Sequence, residues 1–451
     1  MSSNPESSQN PSQNPDSNPN PKSSQDSGQN SNPSLNSSLN SNRRLRPEAH
    51  WSFDPDILFL NHGSFGACPR PVLAAQHRLR EMLEAQPVEF LARQLPDRLS
   101  IAREALAAFV GASPDGLAFV SNATMGVNTV LRSLSFQPGD QILVTDHGYA
   151  ACTNAARFVA DRAGADVVTA KIPTPVTSPD EVVAAILGAA TERTRLALID
   201  HITSPTGLVF PIAEIVRALE ARGIDTLVDG AHAPGMISLK IDEIGAAYYT
   251  GNAHKWMCAP KGAAFLSVRE DRRSRVHPLV ISHGASLPLP ASAALSHSTL
   301  RYRLEFDWMG TTDPTPWLVL PDAIHFLEQL VEGGRAALFA RLRTTALDWR
   351  RRLLEYFGTE AGVGPENMTA ALVSISLPAL PPRSGVEASD ARAQHPLQRW
   401  LWDERRIELP ILPWPSPPAA LLRTATHLYV PEDALGRLLA ALDDARTLGL
   451  L

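Results

Sequence analysis

An acid and a lysine 26 positions apart carry the strongest chemical signal in this chain. Asp229 ends an apolar run in LVDGAHAPG (227–235). Lys255 lies in YYTGNAHKWMCAPKG (248–262), where a second apolar run, Ala246 to Tyr249, gives way to small and polar residues. A lysine amine condenses with an aldehyde to a Schiff base. A carboxylate can hold a pyridine nitrogen protonated, so that the ring draws electrons from what is attached to it. Lys255 needs a lowered pKa for this work, first as nucleophile and then as base. Singly, each residue has an ordinary explanation: an acid after a strand caps a helix, and a lysine faces solvent. The chemical reading therefore rests on what else the chain carries.

Several segments offer the remaining parts of a site for a phosphorylated, planar aldehyde, which is pyridoxal 5'-phosphate (PLP). SNATMGVNTVL (121–131) follows a strand pattern and opens a helix. Ser121 or Asn122 can cap it, and the N–H groups of Ala123, Thr124 and Met125, with the Thr124 hydroxyl, face an anion favoured by the helix dipole. TDHGYAAC (145–152) sets His147 and Tyr149 past a strand end, where either ring could stack on the cofactor. DHITSPTG (200–207) brings Thr203 and Ser204, whose hydroxyls suit the phenolic oxygen. His232, three residues after Asp229, is placed to line the ring or relay a proton. Asn252 and His254 flank Lys255 and can reach the phosphate, as can Thr311 in GTTD (310–313). Arg423 in RTATHLYV (423–430) is the group expected to hold a substrate carboxylate. Asn61 and His62, in LNHGSFG (60–66), are expected at the site's mouth. His62, His147, His201, His232 and His254 form no HxxxH-type pair on one helix, so no metal is expected.

The elements that must position these residues follow from hydrophobic patterning. Helix patterns at 71–85, 97–110, 124–134, 149–163, 179–190 and 211–222 alternate with apolar strands at 117–120, 141–145, 166–170, 195–199, 225–228, 246–249 and 263–268. Such alternation predicts an α/β fold with a mostly parallel sheet covered on both faces. Ligands bind such sheets beyond the carboxyl ends of the strands, where Asn122, His147, His201 and Asp229 converge. From 317 the pattern changes to a long helix (317–356), a strand (371–377), a Pro- and Ser-containing loop (378–392), a helix (395–404), a strand near 421–426 and a closing helix (431–447). The Pro-rich stretch 408–418 is read as a connecting loop. The division expected is a tail (1–46), an N-terminal arm (47–70), a large cofactor-binding domain (71–316) and a smaller α+β domain (317–451). Residues 1–46 are almost wholly Ser, Asn, Pro and Gln and cannot bury enough apolar surface to order themselves.

The 451 residues carry a net charge of −6 with both signs mixed throughout, which gives no footprint for nucleic acid or an anionic membrane. Three scattered cysteines, Cys68, Cys152 and Cys258, point away from a disulfide framework and structural zinc. No apolar run approaches the ~20 residues of a membrane span. With no apolar signal core at the N-terminus, a cytoplasmic location is expected.

Taken together, LNHGSFG, SNAT, DHITSPTG, VDGAHAPG, GNAHKWMCAPKG, WMGTTDP and RTATHLY resemble the class V aminotransferase family of fold-type I PLP enzymes, and within it the isopenicillin N epimerase-like branch. The likeness covers roughly residues 51–447. It implies a three-layer PLP-dependent transferase fold of the aspartate aminotransferase type. It also implies Lys255 as the internal aldimine and Asp229 as partner of the pyridine nitrogen. Ala123, Thr124, Asn252 and His254 would hold the phosphate, Arg423 the substrate carboxylate, and Thr311 the phosphate of a neighbouring subunit, which makes the expected state a homodimer. The chemistry implied is proton removal at the α-carbon of an amino acid, ending in epimerisation or transamination, with His232 and Tyr149 as further acids or bases. Cysteine desulfurases of this superfamily take up sulfur on a mobile-loop cysteine in the second half of the chain. No cysteine follows Cys258 here. The lyase alternative is therefore a C–S lyase that releases its sulfur product directly, and a non-catalytic PLP-fold protein is the alternative outside enzymology.

Overall fold

The computed structural model describes residues 47–289, 295–359, 362–378 and 394–451. The tail 1–46 and most of the expected loop 378–392 lie outside the described residues. Seven strands form the main sheet: Leu117–Val120 (β1), Gln141–Thr145 (β2), Asp166–Ala170 (β3), Thr194–Asp200 (β4), Asp225–Asp229 (β5), Tyr248–Asn252 (β6) and Ala264–Val268 (β7). Their order is β1-β7-β6-β5-β4-β2-β3. The pairs from β3 through β6 are parallel, and β7 is antiparallel to both its neighbours. The parallel strands are joined by helical crossovers, as parallel pairing requires. Between β6 and β7 there is only a loop, so β7 returns antiparallel, and that loop carries Lys255.

Side chains alternate across the sheet with period two. Phe119, Leu143, Ile199, Val228, Tyr249 and Phe265 enter one hydrophobic cluster, with helices Leu95–Val110 and Ile212–Glu220. Val120, Val144, Leu198, Leu227, Tyr248 and Leu266 enter another, with Ala123–Ser133 (α1) and Ala150–Ala163 (α2). Both faces are thus covered, giving the expected α/β three-layer arrangement. A third cluster gathers on a smaller antiparallel sheet of Leu372–Ser376 (β8), Ile411–Pro413 (β9) and Ala420–Ala425 (β10), ordered β9-β10-β8.

The long helix expected over 317–356 is three helices, Thr315–Leu318, Leu320–Gln329 and Gly334–Phe357. Pro321 starts the second, and Gly333 and Gly334, at φ of 88° and 66°, break the chain before the third. The Pro-rich stretch 408–418 contains the edge strand β9, which tolerates proline because one side needs no partner. Helix His297–Asp307, capped by Ser296, was not anticipated. No described helix is long and apolar enough to cross a membrane.

Near the N-terminus, Leu58–Phe59 pairs parallel with Ile407–Glu408, while the Ala425 N–H donates to the Leu60 carbonyl. The turn 61–66 is thereby held against β10, the strand that bears Arg423.

Candidate active site

Lys255 is fixed by its backbone before its side chain acts. The N–H groups of Ala253 and His254 both donate to the Ala263 carbonyl, and the Cys258 N–H donates to the Lys255 carbonyl. Gly66 packs so closely on this loop that a Cβ there would stand 2.1 Å from the His254 carbonyl oxygen and 2.7 Å from the Lys255 Cα. At φ of +68° that position also disfavours any side chain. The Lys255 Nζ lies 3.2 Å from His232 Nε2. Burial, and then the positive charge of Arg423, hold the lysine down to about 8, although the Asp229 charge opposes the shift. The depression expected for a nucleophilic lysine is therefore present.

Asp229 ends β5, is 2% exposed, and has both oxygens engaged. Oδ1 accepts from the Ala231 N–H at 3.0 Å, and Oδ2 accepts from the Cys152 thiol at 3.1 Å. Burial pushes its pKa up, and these two donors together with Lys255 oppose that. Asp200, at the end of β4, stands in register beside it. Burial and the Asp229 charge push Asp200 well above the usual carboxylate range. Neither Asp200 nor Cys152 stood out in the sequence. Asp200 ends the apolar run LALID as Asp229 ends LVD, but only the strand register sets the two side by side.

At the start of α1, Asn122 Oδ1 caps the Met125 N–H at 2.8 Å. The Ala123 N–H donates to Asn252 Oδ1 at 2.8 Å. Ala123 and Asn252, both expected to face a phosphate, face each other instead. Their contact ties α1 to the end of β6 and leaves the Thr124 N–H at the helix start. The Thr124 hydroxyl is within hydrogen-bonding reach of the Cys152 thiol. His254 bonds the Ala263 carbonyl through Nδ1 at 3.0 Å. A carbonyl only accepts, so this nitrogen carries the hydrogen and Nε2 presents a lone pair. Burial and the nearby Lys255 charge hold His254 down to about 4.

The two candidate stacking rings differ in their surroundings. His147 is fully buried, edge-on to Trp414 with ring centroids 4.8 Å apart, and its Nδ1 meets the Thr206 hydroxyl at 2.9 Å. Tyr149 is 45% exposed and close enough to Asp229 and Arg423 to feel their charges. The open ring is therefore Tyr149.

Arg423 on β10 is 4% exposed. It donates through Nη1 to the carbonyl and hydroxyl of Ser204, and through Nη2 to the Ser64 hydroxyl at 3.2 Å. No carboxylate lies within ion-pairing distance among the described residues, and burial holds the guanidinium down to about 10. A buried cation without a counter-charge, near a second buried cation at Lys255, is a site for an anion.

Other expected residues sit elsewhere. Thr203 spends its hydroxyl on Thr206 and on the Leu208 N–H, and Ser204 turns to Arg423. His62 is fully buried, with Nδ1 2.9 Å from the Tyr429 hydroxyl and Nε2 3.1 Å from the Lys255 carbonyl. It stands behind the lysine rather than at a mouth. Asn61 bonds Glu408 and Ser64. Thr311 is exposed. His62, Cys258 and His427 bring their ligating atoms within 4.8 Å of one another, but both His62 nitrogens are already engaged.

A flat, anionic aldehyde fits these groups. The buried His232 Nδ1 lacks a partner among the described residues, and its other nitrogen touches the lysine. An acid, a depressed lysine, an open ring, a helix start and an unpaired arginine stand together.

The chain matches the class-V aminotransferase family over residues 61–384. It is 35% identical to isopenicillin N epimerase of Streptomyces clavuligerus over 398 residues, 86% of this chain and 95% of that protein. It is 32% identical to putative L-cysteine desulfhydrase 1 of Oryza sativa subsp. japonica over 369 residues, 78% and 72% of the two chains. Among solved structures, a variant of C-DES with glycine covalently linked to its PLP cofactor superimposes with a TM-score of 0.70 at 21% identity, covering 86% of this chain and 97% of that one.

Proposed function

From the chain's membership of the class-V aminotransferase family, we propose that it is a PLP-dependent enzyme that moves the α-hydrogen of an amino acid, in the manner of isopenicillin N epimerase. The observation that carries this reading is Lys255, held down to about 8 and flanked by His232 and the buried Asp229. Lys255 would bind the cofactor's aldehyde, Asp229 its ring nitrogen, and Thr124 with the start of α1 its phosphate. Tyr149 would cover the ring. His254 would join the phosphate set through Nε2, where a neighbouring anion would favour the protonated ring. When bound, the cofactor supplies an electron sink that makes the α-hydrogen acidic.

The protein's own groups do the rest. Arg423 orients the substrate through its carboxylate. The Lys255 Nζ would be the base that takes the α-proton. His232, in contact with that nitrogen, serves the same side. Tyr149 is the remaining acid for returning a proton from the other side, and burial with the charge of Asp229 keeps its hydroxyl protonated. Replacing Arg423 with alanine is expected to raise KM for an α-amino acid about 100-fold with a smaller change in kcat, the size of one charge-assisted pair. Steady-state kinetics on the best substrate of an L-amino-acid panel checks this.

Lys255 also sets a pH dependence. Its free-amine fraction rises with pH and reaches one half at about 8, so the rate of cofactor attachment rises through that value and levels above it. An unperturbed lysine would keep rising to above ~10. Absorbance-monitored reconstitution across a pH series separates the two.

A second reading, a C–S lyase without a sulfur-accepting cysteine, is supported by the desulfhydrase relatives. Turnover in deuterated water distinguishes the readings. Deuterium at Cα with inverted chirality supports the epimerase, a keto acid alone the aminotransferase, and sulfide with pyruvate from cysteine the lyase. Bound cofactor with no turnover of the panel would leave a binding protein.

The working unit proposed is a homodimer. Exposed Thr311 is free to meet the cofactor phosphate of its partner, and exposed Leu73, Met82 and Ile101 offer apolar surface for the contact. Sedimentation of the holoenzyme tests this.

A further inference from the structure

Arg423 is held by a hydrogen-bond chain that leads to a distant carboxylate. Its Nη2 donates to the Ser64 hydroxyl at 3.2 Å, the Ser64 hydroxyl donates to Asn61 Oδ1 at 2.5 Å, and Asn61 Nδ2 donates to Glu408 Oε1 at 2.9 Å. The direction is forced from both ends. A guanidinium only donates and a carboxylate only accepts. The amide of Asn61 must turn its NH2 toward Glu408, which leaves its oxygen for Ser64. The Ser64 hydrogen is spent on that oxygen, so a lone pair faces Arg423. Without Asn61 the hydroxyl would be free to rotate and set hydrogen against hydrogen.

The backbone holds this chain in register. Leu58–Phe59 is paired with Ile407–Glu408, the Leu60 N–H donates to the Glu408 carbonyl, and the Leu60 carbonyl accepts from Ala425 on the strand of Arg423. Asn61 is therefore fixed between the two strands that bear its partners' ends. Among the described residues the arginine has no carboxylate of its own, and the relay supplies negative charge at a distance while engaging Nη2 alone. A directly paired acid would close the fork to substrate.

We infer that Ser64, Asn61 and Glu408 are positioning residues that aim the Arg423 fork, and that this relay selects amino acids bearing a free α-carboxylate. The inference rests on Arg423 as the carboxylate anchor of the proposed function. It also gives Asn61 a role other than touching substrate.

The test uses the holoenzyme and two probes, L-alanine and L-alaninamide, which differ at the carboxylate. Dissociation constants come from the absorbance change of the bound cofactor. Ser64→Ala and Asn61→Ala are each expected to weaken L-alanine about tenfold, the loss of one hydrogen bond to a charged group, and to leave L-alaninamide unchanged. Ser64→Thr keeps the hydroxyl and restores L-alanine binding. Glu408→Gln, which still accepts from Asn61, has a smaller effect. Cofactor occupancy and thermal midpoint identify variants that fold. Equal weakening of both probes, or no weakening of either, overturns the relay. Arg423→Ala separates the layers. If it removes the preference for L-alanine while Ser64→Ala and Asn61→Ala do not, the relay falls and the anchor stands. If it leaves the preference intact, the anchor falls and the relay with it.

Discussion

Lys255→Ala is expected to lower turnover by more than about 10⁴-fold, because one substitution removes both the group that holds the cofactor and the base that takes the α-proton. The fold should survive. The contact recorded for its amine is His232 at 3.2 Å, and the loop is held by backbone bonds to Ala263 and by the approach of Gly66. Relieved of the lysine charge, His232 and His254 lose one of the influences that hold them neutral, so both become easier to protonate. Circular dichroism and kinetics on the purified variant check the two halves of this expectation. Retained turnover in a folded Lys255→Ala protein would remove the lysine from its role.

Asp229→Asn is expected to cost about 10²–10³ in kcat, the usual loss when a buried electrostatic partner of the reacting system is removed. Asparagine keeps an acceptor for the Ala231 N–H, so the local fold is preserved. What is lost is the negative charge. Two shifts accompany it, with signs fixed by their causes. Asp229 raises the Lys255 pKa, so the lysine midpoint falls below about 8. Asp229 also raises the Asp200 pKa, so Asp200 moves toward an ordinary carboxylate. The pH profile of cofactor attachment should thus shift to lower pH while kcat falls. A variant with full kcat and an unmoved profile would show that the charge has no function.

The architecture was legible because a sheet covered on both faces makes each strand a continuous apolar run. All seven strands and the six patterned helices fall within a few residues of the observed elements, whereas the short helix Ile241–Ile244 matches no patterned segment. The misread parts are those where a local signal was outweighed. Apolar periodicity ran on through Pro321 and the Gly333–Gly334 pair, and the chain broke there. Helix His297–Asp307 has a weak apolar stripe and owes its burial to Tyr302 and Phe306 packing on the sheet.

In the site, Lys255 and Asp229 could be read because each belongs to a loop or strand end with its own chemical signature. Contacts between distant segments left no such trace. Asn252 and Ala123 were both assigned to a phosphate, yet they bond across 129 positions. Asp200 becomes notable only through its register with Asp229. His147 and Tyr149 looked equivalent until burial distinguished them. Asn61 and His62, expected at the mouth, brace Arg423 and the lysine loop from behind.

The central claim is that Lys255 holds the cofactor covalently. The chain has five lysines, Lys22, Lys171, Lys240, Lys255 and Lys261, so peptide mapping can resolve all of them. The measurement is to incubate the protein with PLP, reduce with borohydride, digest, and locate the added mass. The account predicts stoichiometric labelling of Lys255 alone. Labelling confined to another lysine, or none at any PLP concentration, would contradict it.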